Sequence, residues 1–129
     1  MTTLSAKGTI LASIENNIDD YMELVQTMYD NPEIGNEEFE TMALLVNYLD
    51  QAGFKTTSGY VVPTGFIGEY DTGKAGPTIA VMCEYDALPE VGHGCGHNLI
   101  AGIGIATGEA VKAVIDQFGG KLLVVGTPA

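Results

Sequence analysis

The sequence predicts an α/β fold, because segments with helical and extended apolar patterns alternate along the chain. Between Ile10 and Tyr29 the apolar residues recur at intervals of three and four, as on the buried face of an amphipathic helix. Residues 54–85 instead form short extended runs divided by glycine and proline. A further helical stretch, residues 98–118, precedes a last strand that runs from Lys121 to Val125.

The boundaries of the first two helices follow from their flanking residues. Pro32 ends the first helix, because the residue before a proline is pushed out of helical geometry. Asn36 is a good N-cap for a second helix, and the acidic residues that follow it suit the positive end of the helix dipole. Gly53 is the expected C-terminal stop of that helix.

The extended runs predict four strands before the third helix. They cover residues 54–57, 60–62, 66–70 and 78–85. We expect residues 66–70 and 78–82 to form an antiparallel pair around the connection between them. The continuous apolar run 79–83 predicts a buried central strand.

Composition excludes several classes of function. The chain has 129 residues, enough for one domain, and 46% of them are hydrophobic. Its 17 acidic and five basic residues give a formal charge of -12, which disfavours nucleic acid and anionic membrane surfaces as partners. There is no apolar run of membrane-spanning length and no signal peptide in the first residues, so we expect a cytoplasmic protein with free thiols.

Chemistry-bearing residues are concentrated between Glu84 and Asn98. This stretch holds both histidines of the chain and one of its two cysteines. Only Gly96 separates Cys95 from His97, so a turn there can direct a thiolate and an imidazole to one metal ion. A cysteine just before a helix is also easier to ionise. Asp86 follows the strand at the edge of the sheet where sites usually form.

Several separated motifs resemble the amidohydrolase branch of the metallopeptidases, which includes aminoacylases, glutamate carboxypeptidases and aminobenzoyl-glutamate hydrolases. The matching strings are Glu84 to Pro89, Gly92 to Asn98, Asn31 to Glu33 with Glu37, Glu38 and Thr41, and Val125 to Ala129. The resemblance implies a mixed-sheet α/β/α sandwich of the metallo-exopeptidase type, truncated after the strand that ends at Val125. Residues 1–129 would be the N-terminal part of a single catalytic domain, without its remainder and without the dimerisation domain.

The same resemblance implies roles for individual residues. Cys95 and His97 would be metal ligands for Zn²⁺ or Mn²⁺, and Asp86 would be the catalytic-site carboxylate that supports the metal. Glu84 stands where relatives with two metals have a ligand histidine. His93 is open between a ligand, a hydrogen-bond donor behind the ligands and a solvated loop residue, with the last two favoured.

The family cleaves amide bonds of N-acyl amino acids or aminobenzoyl-glutamate-like substrates with a metal-activated water and a glutamate base. That glutamate would follow Ala129, so we expect the isolated chain to be inactive, with weak or no metal binding. We also expect an exposed sheet edge at the last strand, which favours a homo-oligomer.

Two alternative functions remain at this point. The chain can be a non-catalytic remnant that acts as an interaction module without metal, or a redox module that uses Cys83 and Cys95. Gly102, Gly104 and Gly108 resemble part of a dinucleotide fingerprint, but they lie inside the predicted third helix. We therefore expect them to allow close helix packing, and we expect Met22, Met28, Met42 and Met82 to lie in the core.

Overall fold

Helices and strands alternate as the sequence predicts. The structure is a computed structural model that describes residues 5–128. Residues 1–4, where we expect no signal peptide, and Ala129, the last residue of the motif that begins at Val125, lie outside the described residues. The elements are α1 (Ala6–Asp30), α2 (Phe39–Gln51), β1 (Lys55–Ser58), β2 (Phe66–Asp71), β3 (Thr78–Cys83), α3 (His97–Lys112), a 3₁₀ turn (Ile115–Gln117) and β4 (Lys121–Gly126).

Helix α1 ends at Asp30 as predicted, but the N-cap of α2 is Glu38, two residues later than the expected Asn36. Asn36 adopts a left-handed conformation with φ of 67° and therefore lies in the turn before the helix. Its capping role is taken by Glu33, whose carboxylate accepts hydrogen bonds from the backbone N–H groups of Glu40 (3.2 Å) and Thr41 (2.6 Å). A carboxylate at this end of a helix pairs the free N–H groups and suits the dipole.

The sheet has the strand order β1-β2-β4-β3. Strand β2 is antiparallel to both β1 and β4, and β3 is parallel to β4. The predicted antiparallel pairing of residues 66–70 with 78–82 is therefore wrong, because β4 lies between these two strands. The unit β3-α3-β4 explains this order, since a helical crossover returns the chain parallel to the strand it left.

The prediction placed residues 79–83 (β3) at the centre of the sheet and the last strand (β4) at its edge, and the structure shows the reverse. Strand β4 is central, with Leu122 and Val124 fully buried. Strand β3 was expected to be central, yet it forms an edge of the sheet, and Ile79 and Met82 are about half exposed, at 46% and 53%. A continuous apolar run indicates a parallel strand, but it does not distinguish the centre of a sheet from its edge.

Helices α2 and α3 pack on one face of the sheet, and α1 packs against α3. A side chain added at Gly104 of α3 would collide with Cys83, and one at Gly108 would lie 2.5 Å from Val124. Gly68 of β2 faces Leu49 of α2 in the same way and pairs with Val124 in register. The mixed α/β fold and the packing role of the helical glycines are thus confirmed; residues 5–128 provide the sheet and one helical layer of the sandwich.

Smaller differences concern helix and strand ends. Helix α3 stops at Lys112, and the chain reaches β4 through the 3₁₀ turn. Residues 60–62 are a loop, in which Val61 has φ of 66° and is 87% exposed. Met28 is buried as expected, whereas Met22 and Met82 are exposed.

None of the helices within residues 5–128 is long and apolar enough to cross a membrane.

Candidate metal centre

The candidate site lies where the chain leaves β3. Consecutive side chains of an extended segment point to opposite sides, so Tyr85 turns away from Glu84 and Asp86. Tyr85 is fully buried, stacks on Phe66, and donates its hydroxyl hydrogen to the Thr64 carbonyl. This anchor fixes the two carboxylates on the opposite side of the backbone.

His97 lies between those two carboxylates. Its Nδ1 is 2.7 Å from Asp86 Oδ1 and 3.1 Å from the Asp86 carbonyl oxygen, and its Nε2 is 3.1 Å from Glu84 Oε2. A hydrogen on Nδ1 is donated to Asp86, and this bond fixes the ring and its tautomer. In the neutral ring Nε2 then carries a lone pair that faces a carboxylate oxygen, an arrangement that a proton or a metal cation would satisfy.

Cys95 is held just before α3 by a sharp turn. Gly96, the N-cap residue of α3, has φ of 88°, a left-handed conformation that glycine adopts without strain. The Cys95 thiol is free and exposed. The structure therefore brings Asp86 and His97 into direct contact and leaves Cys95 on the surface beside them in sequence. Cys83 is also free, but it lies in the core at 0% exposure, which gives no support to the redox alternative.

His93 is buried, at 8% exposure, and is therefore not the solvated loop residue that was one of its predicted roles. Neither ring nitrogen has a hydrogen-bond partner among the described residues. Burial lowers the pKa of His93, the neighbouring charge of His97 lowers it further, and Asp86 opposes both effects.

The loop after β3 is attached to the connection between α1 and α2. The Ala87 N–H donates to the Glu33 carbonyl at 2.8 Å, and Ala87 forms a parallel bridge with Ile34. The Glu33 side chain meanwhile caps α2 and accepts from the Thr41 hydroxyl at 2.6 Å. Glu33 therefore anchors both the turn between the helices and the candidate site.

Glu38 is a further buried acid, which the sequence marks only as part of a matching motif. It is fully buried, and its Oε1 accepts from the Thr64 hydroxyl at 3.2 Å. Its Oε2 has no partner in the part of the chain that the structure describes. Thr64 thus lies between Glu38 and the Tyr85 anchor.

Two further observations define the limits of the site. Within residues 5–128, no three His, Cys, Asp or Glu side chains converge closely enough to hold a metal ion. A concavity of about 750 Å³ between α1 and α2 is lined by residues such as Met28, Glu33 and Leu44, and it includes none of Glu84, Asp86, Cys95 and His97.

Comparison with known proteins places these features in a family. No family model matches the sequence. The chain is 34% identical over 119 residues to the Xaa-Arg dipeptidase of Mus musculus, in an alignment that covers 82% of this chain and 28% of the dipeptidase. It is also 34% identical over 125 residues to one of the subunits of the p-aminobenzoyl-glutamate hydrolase of Escherichia coli, covering 83% and 26%. The chain thus spans little more than a quarter of the length of these relatives.

Solved structures share the fold. A protein described as an aminohydrolase from methicillin-resistant Staphylococcus aureus superposes with a TM-score of 0.83 at 24% identity, over 94% of this chain and 34% of that one. An aminobenzoyl-glutamate utilization protein from Klebsiella pneumoniae gives 0.74 at 18% identity, over 93% and 38%. By its sequence relatives and its fold, the chain belongs to the amidohydrolase and metallopeptidase family that its motifs resemble.

Proposed function

We propose that this chain is the N-terminal part of the catalytic domain of a metal-dependent hydrolase that cleaves amide bonds. The observation that carries the proposal is the placement of His97, held by Asp86 on one nitrogen and facing Glu84 with the other. The relatives support the substrate class, because those named above are a dipeptidase and a hydrolase of p-aminobenzoyl-glutamate. Dipeptides, N-acyl amino acids and aminobenzoyl-glutamate-like compounds are the candidate substrates.

The donor set fits a divalent metal in kind but is incomplete in number. Thiolate, imidazole and carboxylate are the donors that Zn²⁺ accepts, and imidazole with carboxylate also suits Mn²⁺. Cys95 and His97 would hold the ion, and Asp86 would fix the His97 ring through Nδ1. When bound, such an ion polarises the scissile carbonyl and lowers the pKa of a water molecule.

The residues of this chain would position the substrate side of the centre and would not complete the reaction. Asp86 holds the His97 ring so that Nε2 faces Glu84, and the Ala87 bridge to Ile34 holds the loop against the turn between α1 and α2. A hydrolase also needs a general base, which is worth on the order of 10²-fold to 10⁴-fold in rate. We assign no described residue to that role, and the 129 residues alone should hydrolyse none of the candidate substrates.

The second candidate function is an interaction module that binds no metal. One observation favours it, namely that no three potential ligands converge within residues 5–128. Metal retention separates the two functions, because an interaction module would retain no ion at the candidate site.

The test is equilibrium dialysis of the purified chain against Zn²⁺ or Mn²⁺, followed by elemental analysis. We expect the wild-type chain to retain one weakly bound ion at a high concentration of the metal, and Cys95→Ser and His97→Ala to retain none. Asp86→Asn should weaken retention by about 10-fold to 100-fold, because the ring loses its supporting carboxylate. The matched control is Asp116→Asn, a carboxylate that bonds Tyr70 away from the candidate site and should leave retention unchanged.

Two outcomes would overturn the proposal in different ways. No retained metal in the wild-type chain would favour the interaction module. Retention that survives both Cys95→Ser and His97→Ala would place the ion elsewhere. If the 129 residues hydrolysed a dipeptide, an N-acyl amino acid or p-aminobenzoyl-glutamate, the prediction of inactivity would be wrong, but the proposed hydrolase function would not be contradicted.

A further inference from the structure

The buried carboxylate of Glu38 is explained neither by helix capping nor by an ion pair. Glu38 is the N-cap residue of α2, yet its side chain makes no capping hydrogen bond, and the Glu33 carboxylate serves that end of the helix instead. Within residues 5–128 no ion pair includes Glu38. Because a carboxylate is costly to remove from water, its complete burial calls for another cause.

The hydrogen bond that Glu38 does make leads to the loop before β2. Its Oε1 accepts from the Thr64 hydroxyl at 3.2 Å. The loop that carries Thr64 is closed on itself, because the Tyr60 N–H donates to the Gly65 carbonyl and the Gly65 N–H donates to the Val62 carbonyl, each at 3.0 Å. The bond to Thr64 therefore holds this closed loop against the start of α2.

Thr64 also holds the anchor of the candidate site. Its carbonyl accepts from the Tyr85 hydroxyl, deep in the interior. The residues on either side of Tyr85 are Glu84 and Asp86. Their carboxylates lie 3.1 and 2.7 Å from the two ring nitrogens of His97. A displacement of the Tyr85 hydroxyl would therefore move both carboxylates relative to the imidazole.

We propose that Glu38 is a positioning residue for the candidate metal centre. It acts through Thr64 and Tyr85 on the two carboxylates that hold the His97 ring. These three side chains are at most 1% exposed within residues 5–128, so their contacts are complete without residues from outside this range. Polar groups that break the usual rules of burial are expected near functional sites. The inference rests on the proposed function, since it concerns the ion that Cys95 and His97 would bind.

The first readout is the position of the hydrogen on the His97 ring in the metal-free chain, which ¹⁵N NMR of the ring nitrogens reports. At about pH 8.5 an ordinary histidine is neutral. We expect the hydrogen on Nδ1 in the wild-type chain, because Asp86 accepts it there. Glu38→Leu leaves the Thr64 hydroxyl without its acceptor and should give a mixture of both tautomers. Glu38→Gln keeps an acceptor oxygen and should retain the wild-type tautomer.

The second readout is the dissociation constant for Zn²⁺, measured by titration against a competing chelator. Residues that support metal ligands change the affinity by about 10-fold to 100-fold. Because Glu38 acts from behind Tyr85, we expect the lower end, about a tenfold increase for Glu38→Leu, and no change for Glu38→Gln. In a Tyr85→Phe background, which already lacks the bond to Thr64, Glu38→Leu should change neither readout further. An additional loss in that background would contradict the route through Tyr85.

Leu49→Ala is the matched control for lost stability. Leu49 is fully buried near the other end of α2, where it faces Gly68. Its truncation should lower the free energy of unfolding without changing the His97 tautomer or the Zn²⁺ dissociation constant. If Glu38→Leu fails to fold, as judged by circular dichroism, Thr64→Val removes the same hydrogen bond from its other side.

The outcomes separate this inference from the proposed function. A wild-type tautomer in folded Glu38→Leu or Thr64→Val, or an equal change in Leu49→Ala, would overturn the positioning role. Absence of Zn²⁺ binding in the wild-type chain would contradict the proposed function, and the tautomer would still decide whether Glu38 positions His97.

Discussion

The contact between α3 and the central strand is tested by adding one methyl group at Gly108. A Cβ built at this position lies 2.5 Å from Val124 Cγ2, and Val124 is fully buried in β4. Over-packing of this kind costs about 1 to 3 kcal/mol. Replacing glycine by alanine inside a helix gains about 1 kcal/mol. We therefore expect Gly108→Ala to lower the free energy of unfolding by about 1 kcal/mol.

The Val124→Ala background separates these two effects. Removal of the Val124 methyl groups removes the collision, so only the gain in helix propensity remains. There, Gly108→Ala should raise the free energy of unfolding by about 1 kcal/mol, which gives a coupling energy of about 2 kcal/mol.

Urea denaturation followed by circular dichroism measures each corner of this double-mutant cycle. Stabilisation by Gly108→Ala in the wild-type chain, equal to that in the Val124→Ala background, would refute the close packing of α3 on β4.

Three further predictions concern buried groups. A water-soluble thiol reagent should label the exposed Cys95 in the folded chain and label Cys83 only after unfolding, which mass spectrometry of the labelled chain detects. Burial raises the pKa of Cys83 from 9.0 to about 12, so its contribution to stability is complete below pH 9 and is lost as the pH rises toward 12. Between pH 8 and 10.5 the free energy of unfolding of the wild-type chain, measured with urea, should fall by up to about 2 kcal/mol more than that of Cys83→Ala. Equal decreases in the two chains would contradict a contribution from the buried Cys83 thiol. Tyr21 and Tyr48 both donate to Glu109 Oε1, at 2.5 and 2.7 Å, and burial with these bonds raises the pKa of both phenols. Glu109→Leu should cost about 2 kcal/mol or more and Glu109→Gln less, because glutamine keeps an acceptor; equal costs in urea unfolding would count against the hydrogen bonds.

Local features of the fold could be predicted from the sequence, because their causes are local. The apolar spacing before Pro32 was sufficient to place α1, and the glycines of α3 were correctly assigned to packing. The strand order could not be predicted in the same way. Pairing of β3 with β4 depends on the crossover through α3 and joins residues about 43 positions apart in sequence, such as Thr78 and Lys121.

In the candidate site, too, the sequence predicted some features and not others. The sequence singled out Asp86, Cys95 and His97, and the structure shows direct contact only between Asp86 and His97. The contact of Glu84 with His97 was not predicted. It could have been inferred, because residues 84 and 86 lie on the same side of an extended segment and can therefore face the same histidine. The burial of His93 could not be predicted, because it depends on how the loop folds back on the helices.

The central claim is that Cys95 and His97 bind one metal ion, and cobalt substitution tests it most directly. With excess Co²⁺ we expect a sulfur-to-cobalt charge-transfer absorption that Cys95→Ser abolishes, that His97→Ala weakens, and that Cys83→Ala leaves unchanged. Absence of this absorption in the wild-type chain, or its loss only in Cys83→Ala, would contradict the claim.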